Sequence, residues 1–458
     1  MSTQAPATAA GQLPQVDIKP LLARMWPLGH ADPVTPVDIA NAISYFFTNQ
    51  VSDVQAGALL MALHFTGLDR DAGVMARTAA AMLKAASPID TNALREVIKQ
   101  RGRKEGSYEG GLVRNAPCFH VSFAPISPLC LSSIWPSKAN QPPCGSQCDI
   151  VGTGGDSHNT FNISTTSSIL ASSLLLLAKH GNKASTSKSG SADLLNHMIP
   201  APPQLARVRA DTLADVYRAT NYAFLYAPVF HPGMRHVAPI RRQLPWRTLF
   251  NLVGPLANPA DVGLHAGEEP LLEARVLGVA RKDLGPVFAE ALRLAGARKA
   301  LVICGEEDLD EVSIAGPTLC WRLGPSASDP AETVVEHFRV SPADFGVPAH
   351  PLAEVSPGKE PGENAKILFR LLNNELPEGD PIVDFVLVNT AALFVISGIC
   401  DADTSDMGEG DDGVVIKEEG PGGGRWKEGV RRAKWALKSG AALKQWNSFV
   451  QVTNSFSE

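Results

Sequence analysis

The sequence predicts a small all-helical N-terminal domain followed by a larger α/β domain with a mostly parallel sheet. Apolar residues from Ile18 to about Gln100 recur at helical spacing. From Cys148 onward, short apolar runs alternate with helical segments, the signature of a parallel sheet joined by helices. The length of 458 residues, 44% of them hydrophobic and 19% charged, is ordinary for a globular chain with a large buried core. It suggests roughly two to three domains of about 150 residues each.

Taken in order, residues 1–17 read as a disordered tail, and 18–112 as the helical domain. Thr35-Pro36-Val37-Asp38 is a helix start, with a cap residue, proline at the first position and an acid three after the cap. Ile39, Ile43, Phe46 and Phe47 then share one face. Ser52-Asp-Val-Gln55 repeats the capping logic, and Leu59, Leu60, Leu63, Val74, Met82 and Leu83 continue the period around a break at Gly67. Residues 113–147 are an anomalous insert: six prolines (117, 125, 128, 136, 142 and 143), few charges and no period. The segment opens on Val-Arg and closes on Gln, which can be encoded as GT… and …CAG, the boundary marks of an intron; it is a candidate retained intron.

Residues 148–458 form the predicted α/β domain. Cys148–Val151, Arg275–Ala280 and Lys299–Cys304 read as strands, and Ser164–Ser168 and Lys282–Ala295 as helical. Ligands of such sheets bind beyond the carboxyl ends of the strands. The loops Gly152–Asp156 and Gly305–Glu311 take that position. Residues 401–424, acidic and then glycine-rich, read as a surface loop. Trp426, Val430, Ala433 and Leu437 mark an amphipathic helix after it, and Leu443, Trp446 and Val450 a closing turn on the body.

Composition removes several classes of function. With 41 basic and 47 acidic side chains the formal charge is −6, with no long basic run, which argues against nucleic-acid binding. Apolar stretches such as Ile169–Ala178 fall short of the roughly 18 residues a membrane span needs. The N-terminus does not read as a signal peptide. Seven cysteines, unevenly placed, do not make a disulfide framework. A reducing, cytoplasmic compartment is expected. Cys118, Cys130, Cys144 and Cys148 lack zinc-site spacing, and the Asp401–Asp412 acids lack the glycine and final glutamate of a calcium loop. His64 reads as a packed or half-exposed histidine.

Chemistry concentrates in Asp149–Asp193. Gly152-Thr-Gly-Gly-Asp156 follows a strand, and its glycines let the backbone turn amide N–H groups toward an anion. Asn162-Ile-Ser-Thr165 opens a helix whose free N–H groups, hydroxyls and dipole favour phosphate. Lys179-His180-Gly-Asn182 adds a cation, a titratable ring and an amide, and Ser185–Ser191 opens a second helix of the same character. One glycine loop is ordinarily only a tight turn. Two such loops with a lysine between them point to a phosphate-rich ligand. Asp310-Glu311 supplies adjacent carboxylates; in an acidic loop such a pair is commonly a solvated surface, but pyrophosphate needs a counterion and hard oxygens suit Mg²⁺. Arg235, Arg241, Arg242 and Arg247 flank a turn-rich segment, and one or more could fork onto a substrate carboxylate. The residues themselves do not choose among the four.

The ordered motifs GTGGD (152–156), NIST (162–165), KHGN (179–182), SKSGSAD (187–193), RTLFNLVGPLANP (247–259) and DEVS (310–313) resemble the anthranilate phosphoribosyltransferase family, in its eukaryotic, fungal-like form. The resemblance spans about residues 18–112 and 148–450. It implies the two-domain fold shared with nucleoside phosphorylases, commonly a homodimer joined through the helical domains. It also implies transfer of phosphoribose from phosphoribosyl pyrophosphate to anthranilate with Mg²⁺. Carried over by motif, Gly152, Gly155, Asp156, Thr160, Asn162, Ser164, Thr165, Lys179, Asn182, Ser187 and Ser191 would hold the pyrophosphate substrate, with His180 and Gly181 lining the site. Ser164, Asp310 and Glu311 would position Mg²⁺, and Lys179, Asp310 and Glu311 would carry catalysis. Gly152, Asn182 and Arg241 would contact anthranilate, Arg241 facing its carboxylate. Lys183 stands where the family often has arginine, keeping the charge but losing the fork. The alternatives are a pyrimidine nucleoside phosphorylase of the same fold, and an inactive homologue acting as a binding protein.

Overall fold

The computed structural model describes residues 13–26, 32–101, 105–108, 147–153, 156, 158–184, 188–261, 271–326, 328–329, 332–355 and 360–457. Positions 1–12 of the predicted tail, and 113–146 of the anomalous insert, lie outside them.

Five helices come first: α1 (Lys19–Met25), α2 (Pro36–Phe47), α3 (Asp53–Thr66), α4 (Ala72–Lys84) and α5 (Thr91–Arg101). The capping box read at Thr35 is formed. Thr35 Oγ1 accepts from Asp38 N, and Asp38 returns a carboxylate oxygen to Thr35 N. Ser52 caps α3, but the Gln55 side chain goes elsewhere: its Oε1 accepts from Ile18 N at 2.8 Å, tying α1 to α3. Ile39, Ile43, Phe46 and Phe47 are all buried, as their spacing requires.

The α/β part runs β1 (Gln147–Gly152), α6 (Ile163–Ala171), β2 (Leu177–Gly181), α7 (Ser191–Asn196), α8 (Leu213–Ala219), β3 (Tyr222–Tyr226), α9 (Ala227–Phe230), α10 (Met234–Arg242), α11 (Leu249–Val253), β4 (Leu272–Gly278), α12 (Leu284–Leu294) and β5 (Lys299–Gly305). Then follow β6 (Thr318–Pro325), β7 (Thr333–Val340), α13 (Leu352–Val355), α14 (Pro361–Leu372), α15 (Pro381–Ser397), α16 (Trp426–Lys438) and α17 (Ala441–Ser455). The sheet order is β3-β2-β1-β4-β5-β6-β7. Pairings from β3 through β5 are parallel; β6 and β7 close the edge antiparallel. The parallel strands β1, β2, β4 and β5 each end in glycine, at Gly152, Gly181, Gly278 and Gly305.

Both sheet faces are covered, and alternation along β5 shows it: Leu301 and Ile303 enter one core, Ala300, Val302 and Cys304 the other. The first core holds α6, α15, α16 and α17. The second is continuous with the helical domain, whose α4 packs on α12. One difference from the sequence reading concerns α5. Leu94, Val97 and Ile98 join the first core, against α8, rather than the core of the other N-terminal helices. The 401–424 segment is exposed along much of its length, but it is also stapled down. Arg431 reaches Asp411 at 2.9 Å and Ser405 at 2.8 Å, and Arg425 Nη1 reaches the Ala402 carbonyl at 3.1 Å.

Candidate active site

The site forms where the glycine-ended strands open. The chain turns at Thr153, whose N–H donates to Gly278 O at 2.9 Å and whose Oγ1 accepts from Ala280 N at 3.2 Å. Asp310 fills the gap between β1 and β4. A Cβ added at Gly152 would lie 2.4 Å from Asp310 Oδ2, and one at Gly278 would lie 1.7 Å from the Asp310 carbonyl oxygen. Only glycine permits that approach.

Asp310 and Glu311 are both buried, 8% exposed each. Burial first, then Asp310 and Asp156, push the Glu311 carboxyl well above its ordinary range; Lys179 and the Ser164 backbone N–H oppose the shift. Ser164 lies in the first turn of α6, so Glu311 faces a helix N-terminus. The three residues assigned to Mg²⁺ therefore converge. Asp156, Asp310 and Glu311 outnumber the two cations that face them, Lys179 and Arg247, and a divalent cation would relieve that excess of negative charge; Mg²⁺ fits such a donor set when substrate phosphates complete it. Among the described residues no cluster of three or more His, Cys, Asp or Glu side chains encloses a metal by itself.

Lys179, on β2, is 1% exposed and donates from Nζ to Ile150 O at 2.5 Å. Burial lowers its pKa, and Asp149, Glu311 and Asp310 pull it back up. Asp149 is equally buried. Its carboxyl is raised by that burial, against the Lys179 charge and a 2.9 Å hydrogen bond from Asn258 Nδ2. Asn258 also donates to Ala178 O at 2.8 Å, joining the strand that carries Lys179. Burial likewise holds the neighbouring His180 well below its usual pKa, helped by His231 and Lys179, so its ring is neutral near pH 7. Its Nε2 has no hydrogen-bond partner among the described residues.

Asn162 precedes α6 and ties two loops together. Its Nδ2 donates to Ser189 O at 2.9 Å, and its Oδ1 accepts from Ser189 Oγ at 3.1 Å. Thr165 Oγ1 donates to Ser191 Oγ at 2.8 Å across the same gap. Asn182, exposed, accepts from Ala192 N through its carbonyl at 3.1 Å. Gly181 ends β2 against the Phe224 ring. Asp156 and Thr160 are half-buried in the connection to α6. Gly155 and Ser187 lie outside the described residues.

Of the four arginines, two approach the site. Arg247 Nη2 donates to Thr153 O at 2.9 Å, and Asp310 and Asp156 favour its charge against burial. Arg241, at the end of α10, is lowered by burial and then by Arg247. Its guanidinium lies 5.8 Å from the Phe250 ring centroid, and its Nε is buried without a hydrogen-bond partner among the described residues. Two half-buried guanidinium groups within electrostatic reach of each other favour an anion between them. Arg235 is exposed beside His236, and Arg242 is exposed on α10.

Sequence reasoning missed the groups that hold the site from behind. Asn389, fully buried in α15, accepts from Val312 N at 2.9 Å and donates to Val312 O at 3.1 Å, fixing the loop that carries both carboxylates. His158 meets Glu307 O at 2.9 Å through Nε2, linking the glycine loop to the acidic one. Asn258 stood inside a quoted motif. Asn389 had a signal too: an amide midway along a largely apolar helix.

Known proteins place this geometry. The family described as "Glycosyl transferase family, a/b domain" matches residues 145–443, and its helical bundle domain matches residues 27–86. Anthranilate phosphoribosyltransferase from Schizosaccharomyces pombe is 40% identical over 306 residues, 67% of this chain and 74% of that protein. The enzyme of Saccharomyces cerevisiae is 36% identical over 313 residues, 67% of this chain and 72% of its own. The chain belongs to the anthranilate phosphoribosyltransferase family. The Saccharomyces cerevisiae enzyme solved in complex with PRPP and Mg superposes with a TM-score of 0.68 at 27% identity, covering 95% of this chain and 98% of its own. That of Thermus thermophilus does so with a TM-score of 0.62 at 28% identity, covering 93% and 97%. Family membership favours neither the nucleoside phosphorylase nor the inactive homologue.

Proposed function

We propose that this chain transfers the phosphoribosyl group of 5-phosphoribosyl 1-pyrophosphate to the amine of anthranilate, giving N-(5-phosphoribosyl)anthranilate and pyrophosphate, a step of tryptophan biosynthesis. The observation that carries the reading is the meeting of two charge sets across Thr153. Asp156, Asp310, Glu311 and Lys179 form one set and Arg241 and Arg247 the other, and Arg247, bound to Thr153 O, couples to Asp310, Asp156 and Arg241.

In this reading Ser164, Asp310 and Glu311 hold Mg²⁺, which supplies charge neutralisation to the pyrophosphate. Lys179 adds a fixed positive charge beneath the phosphates. Gly152, Asp156, Thr160, the backbone of Asn162, Thr165, Asn182 and Ser191 bind the remaining phosphate and ribose oxygens, joined by Gly155 and Ser187 from the same motifs. His180 and Gly181 line the floor. Arg241 fixes the anthranilate carboxylate, with Gly152 and Asn182 beside the ring, so that the amine faces the ribose C1. The C1–O bond to pyrophosphate breaks as the C1–N bond forms, and the amine nitrogen then releases one proton. An aromatic amine is neutral near pH 7, so its lone pair is already available and no strong base is required. Positioning and fixed charges supply the rate enhancement.

The α3 surface supports a homodimer. Val54, Ala58, Met61 and Phe65 recur at helical spacing on the side away from the core, with Val54 82% and Phe65 68% exposed. A second copy of the chain is the occupant we assign, and analytical ultracentrifugation reads it directly. A sedimentation coefficient of a monomer at micromolar concentration would remove the dimer. We place the enzyme in the cytoplasm on its expected reducing environment; the described thiols Cys304, Cys320 and Cys400 are free. No described helix is long and apolar enough to cross a membrane.

The function is tested by incubating the full chain with anthranilate, phosphoribosyl pyrophosphate and Mg²⁺. Anthranilate fluorescence should fall only when all three are present. Persistent fluorescence at stoichiometric enzyme would refute the assignment.

A further inference from the structure

We propose that Asn364 is a positioning residue for the phosphoribosyl pyrophosphate site, holding Asn162 so that the two phosphate loops stay in register. The inference rests on the reading above that those loops bind this substrate.

Asn364 sits in α14, far along the chain from either loop, and is 4% exposed. Its Nδ2 donates to Asn162 Oδ1 at 3.2 Å. That same oxygen accepts from Ser189 Oγ, while Asn162 Nδ2 donates to Ser189 O. The Asn162 amide is thus gripped from both sides, by the loop before α7 and by α14. A primary amide has an acceptor oxygen and a donor nitrogen. With the nitrogen committed to the Ser189 carbonyl and the oxygen to two donors, its plane has one orientation left.

The consequence reaches the phosphates through the backbone. Asn162 O accepts from Thr166 N at 3.1 Å and begins α6, whose first N–H groups include that of Ser164, pointing at Glu311. A second contact from the same region supports the grip: Phe161 N donates to Val355 O at 3.0 Å, on α13 just before α14. The two residues that lead into α6, Phe161 and Asn162, are therefore fastened to α13 and α14 rather than to the sheet. Asn162 spends its side chain on geometry, and the binding capacity of its loop lies in backbone N–H groups and hydroxyls.

The test uses the full chain with Mg²⁺. Asn364→Asp keeps the shape but turns the donor into an oxygen facing Asn162 Oδ1; Asn364→Leu removes the donor. A packing role would tolerate the aspartate, whereas a hydrogen-bonding role would not. The loss of one buried hydrogen bond predicts a roughly two- to tenfold rise in the KM for phosphoribosyl pyrophosphate. The KM for anthranilate should stay unchanged, and the aspartate should cost at least as much as the leucine. Ser189→Ala removes the other grip on the same oxygen without touching the core. Combined with Asn364→Leu it should be non-additive. Calorimetric titration with phosphoribosyl pyrophosphate and Mg²⁺ reads binding without turnover. Wild-type binding matched by Asn364→Asp would overturn this inference and leave the function standing. Wild-type chain that fails to bind the compound at all would overturn both, and binding without turnover, weakened in the variant, would overturn only the reaction.

Discussion

Replacing Gly278 with alanine should disable catalysis while leaving the fold largely intact. The added methyl carbon would sit 1.7 Å from the Asp310 carbonyl oxygen and 2.4 Å from its carbonyl carbon, whereas real Cβ contacts do not fall below 3.0 Å. The two backbones must separate by at least about 1.3 Å, the difference between the first and last of these distances. The neighbour is main chain, held through Val312 by Asn389, so no side-chain rotation can absorb the shift. Displacing the acidic pair by more than about 1 Å costs on the order of 10²-fold in rate. Steady-state kinetics with Mg²⁺ varied at saturating substrates would measure it. The loss should appear in kcat and in the Mg²⁺ requirement rather than in the anthranilate KM. Gly316→Ala, in the turn after the same loop with nothing within 4 Å of the new carbon, is the matched control. A Gly278→Ala enzyme with wild-type kcat and Mg²⁺ dependence would show that Asp310 does not need this place, and the metal assignment would fall with it.

The remaining predictions concern single groups. Asp310→Ala together with Glu311→Ala should abolish Mg²⁺-dependent turnover; an enzyme still activated by Mg²⁺ would remove both from the site. Arg241→Ala should raise the anthranilate KM at least tenfold, a charge-assisted contact contributing about 1.5–3 kcal/mol, with the KM for phosphoribosyl pyrophosphate little changed. His231 should make stability fall between about pH 6.5 and about pH 4. Burial, only partly opposed by the Ala257 and Met82 carbonyls, lowers its pKa to about 4. The unfolded chain therefore takes up the proton first as pH falls, and the folded state loses up to about 3 kcal/mol across that window. Denaturant titrations of His231→Gln should show a shallower slope than wild type, the remainder falling to the likewise buried His180, and a slope identical to wild type would assign it wholly to other groups.

Much of the fold was legible because its signals are local. The Thr35 capping box, the apolar face of α2 and the strands near Arg275 and Lys299 each follow from spacing within a dozen residues. The loops proposed to bind phosphate stood out for the same reason: glycines and hydroxyls gathered at helix starts are visible in sequence. What sequence could not order was everything made by long-range approach. Arg247 looks like its three neighbours until Thr153 is seen beneath it. Asn364 and Asn389 are single amides in amphipathic or apolar helices, and their meaning appears only when Asn162 and Val312 arrive next to them. The antiparallel edge strand β7 went unread because Thr333–Val340 is mostly exposed, so no core face imposes a clear apolar alternation.

The arrangement explains why one cleft can take two unlike substrates. A buried carboxylate set that outnumbers Lys179 and Arg247 keeps an excess of negative charge, and Arg241, desolvated beside Arg247, lacks a carboxylate of its own among the groups that shift it. Arg247 is shared: it is drawn toward Asp310 and Asp156 on one side and repels Arg241 on the other. Separately, each set costs desolvation without full compensation. In the proposed reaction a metal–pyrophosphate complex would complete the first and an aromatic carboxylate the second. If Arg247 couples the two sets, Arg247→Ala should raise the KM of both substrates, where Arg241→Ala raises only one. An Arg247→Ala enzyme with only the anthranilate KM altered would place that arginine wholly with the carboxylate and leave the two halves of the cleft independent.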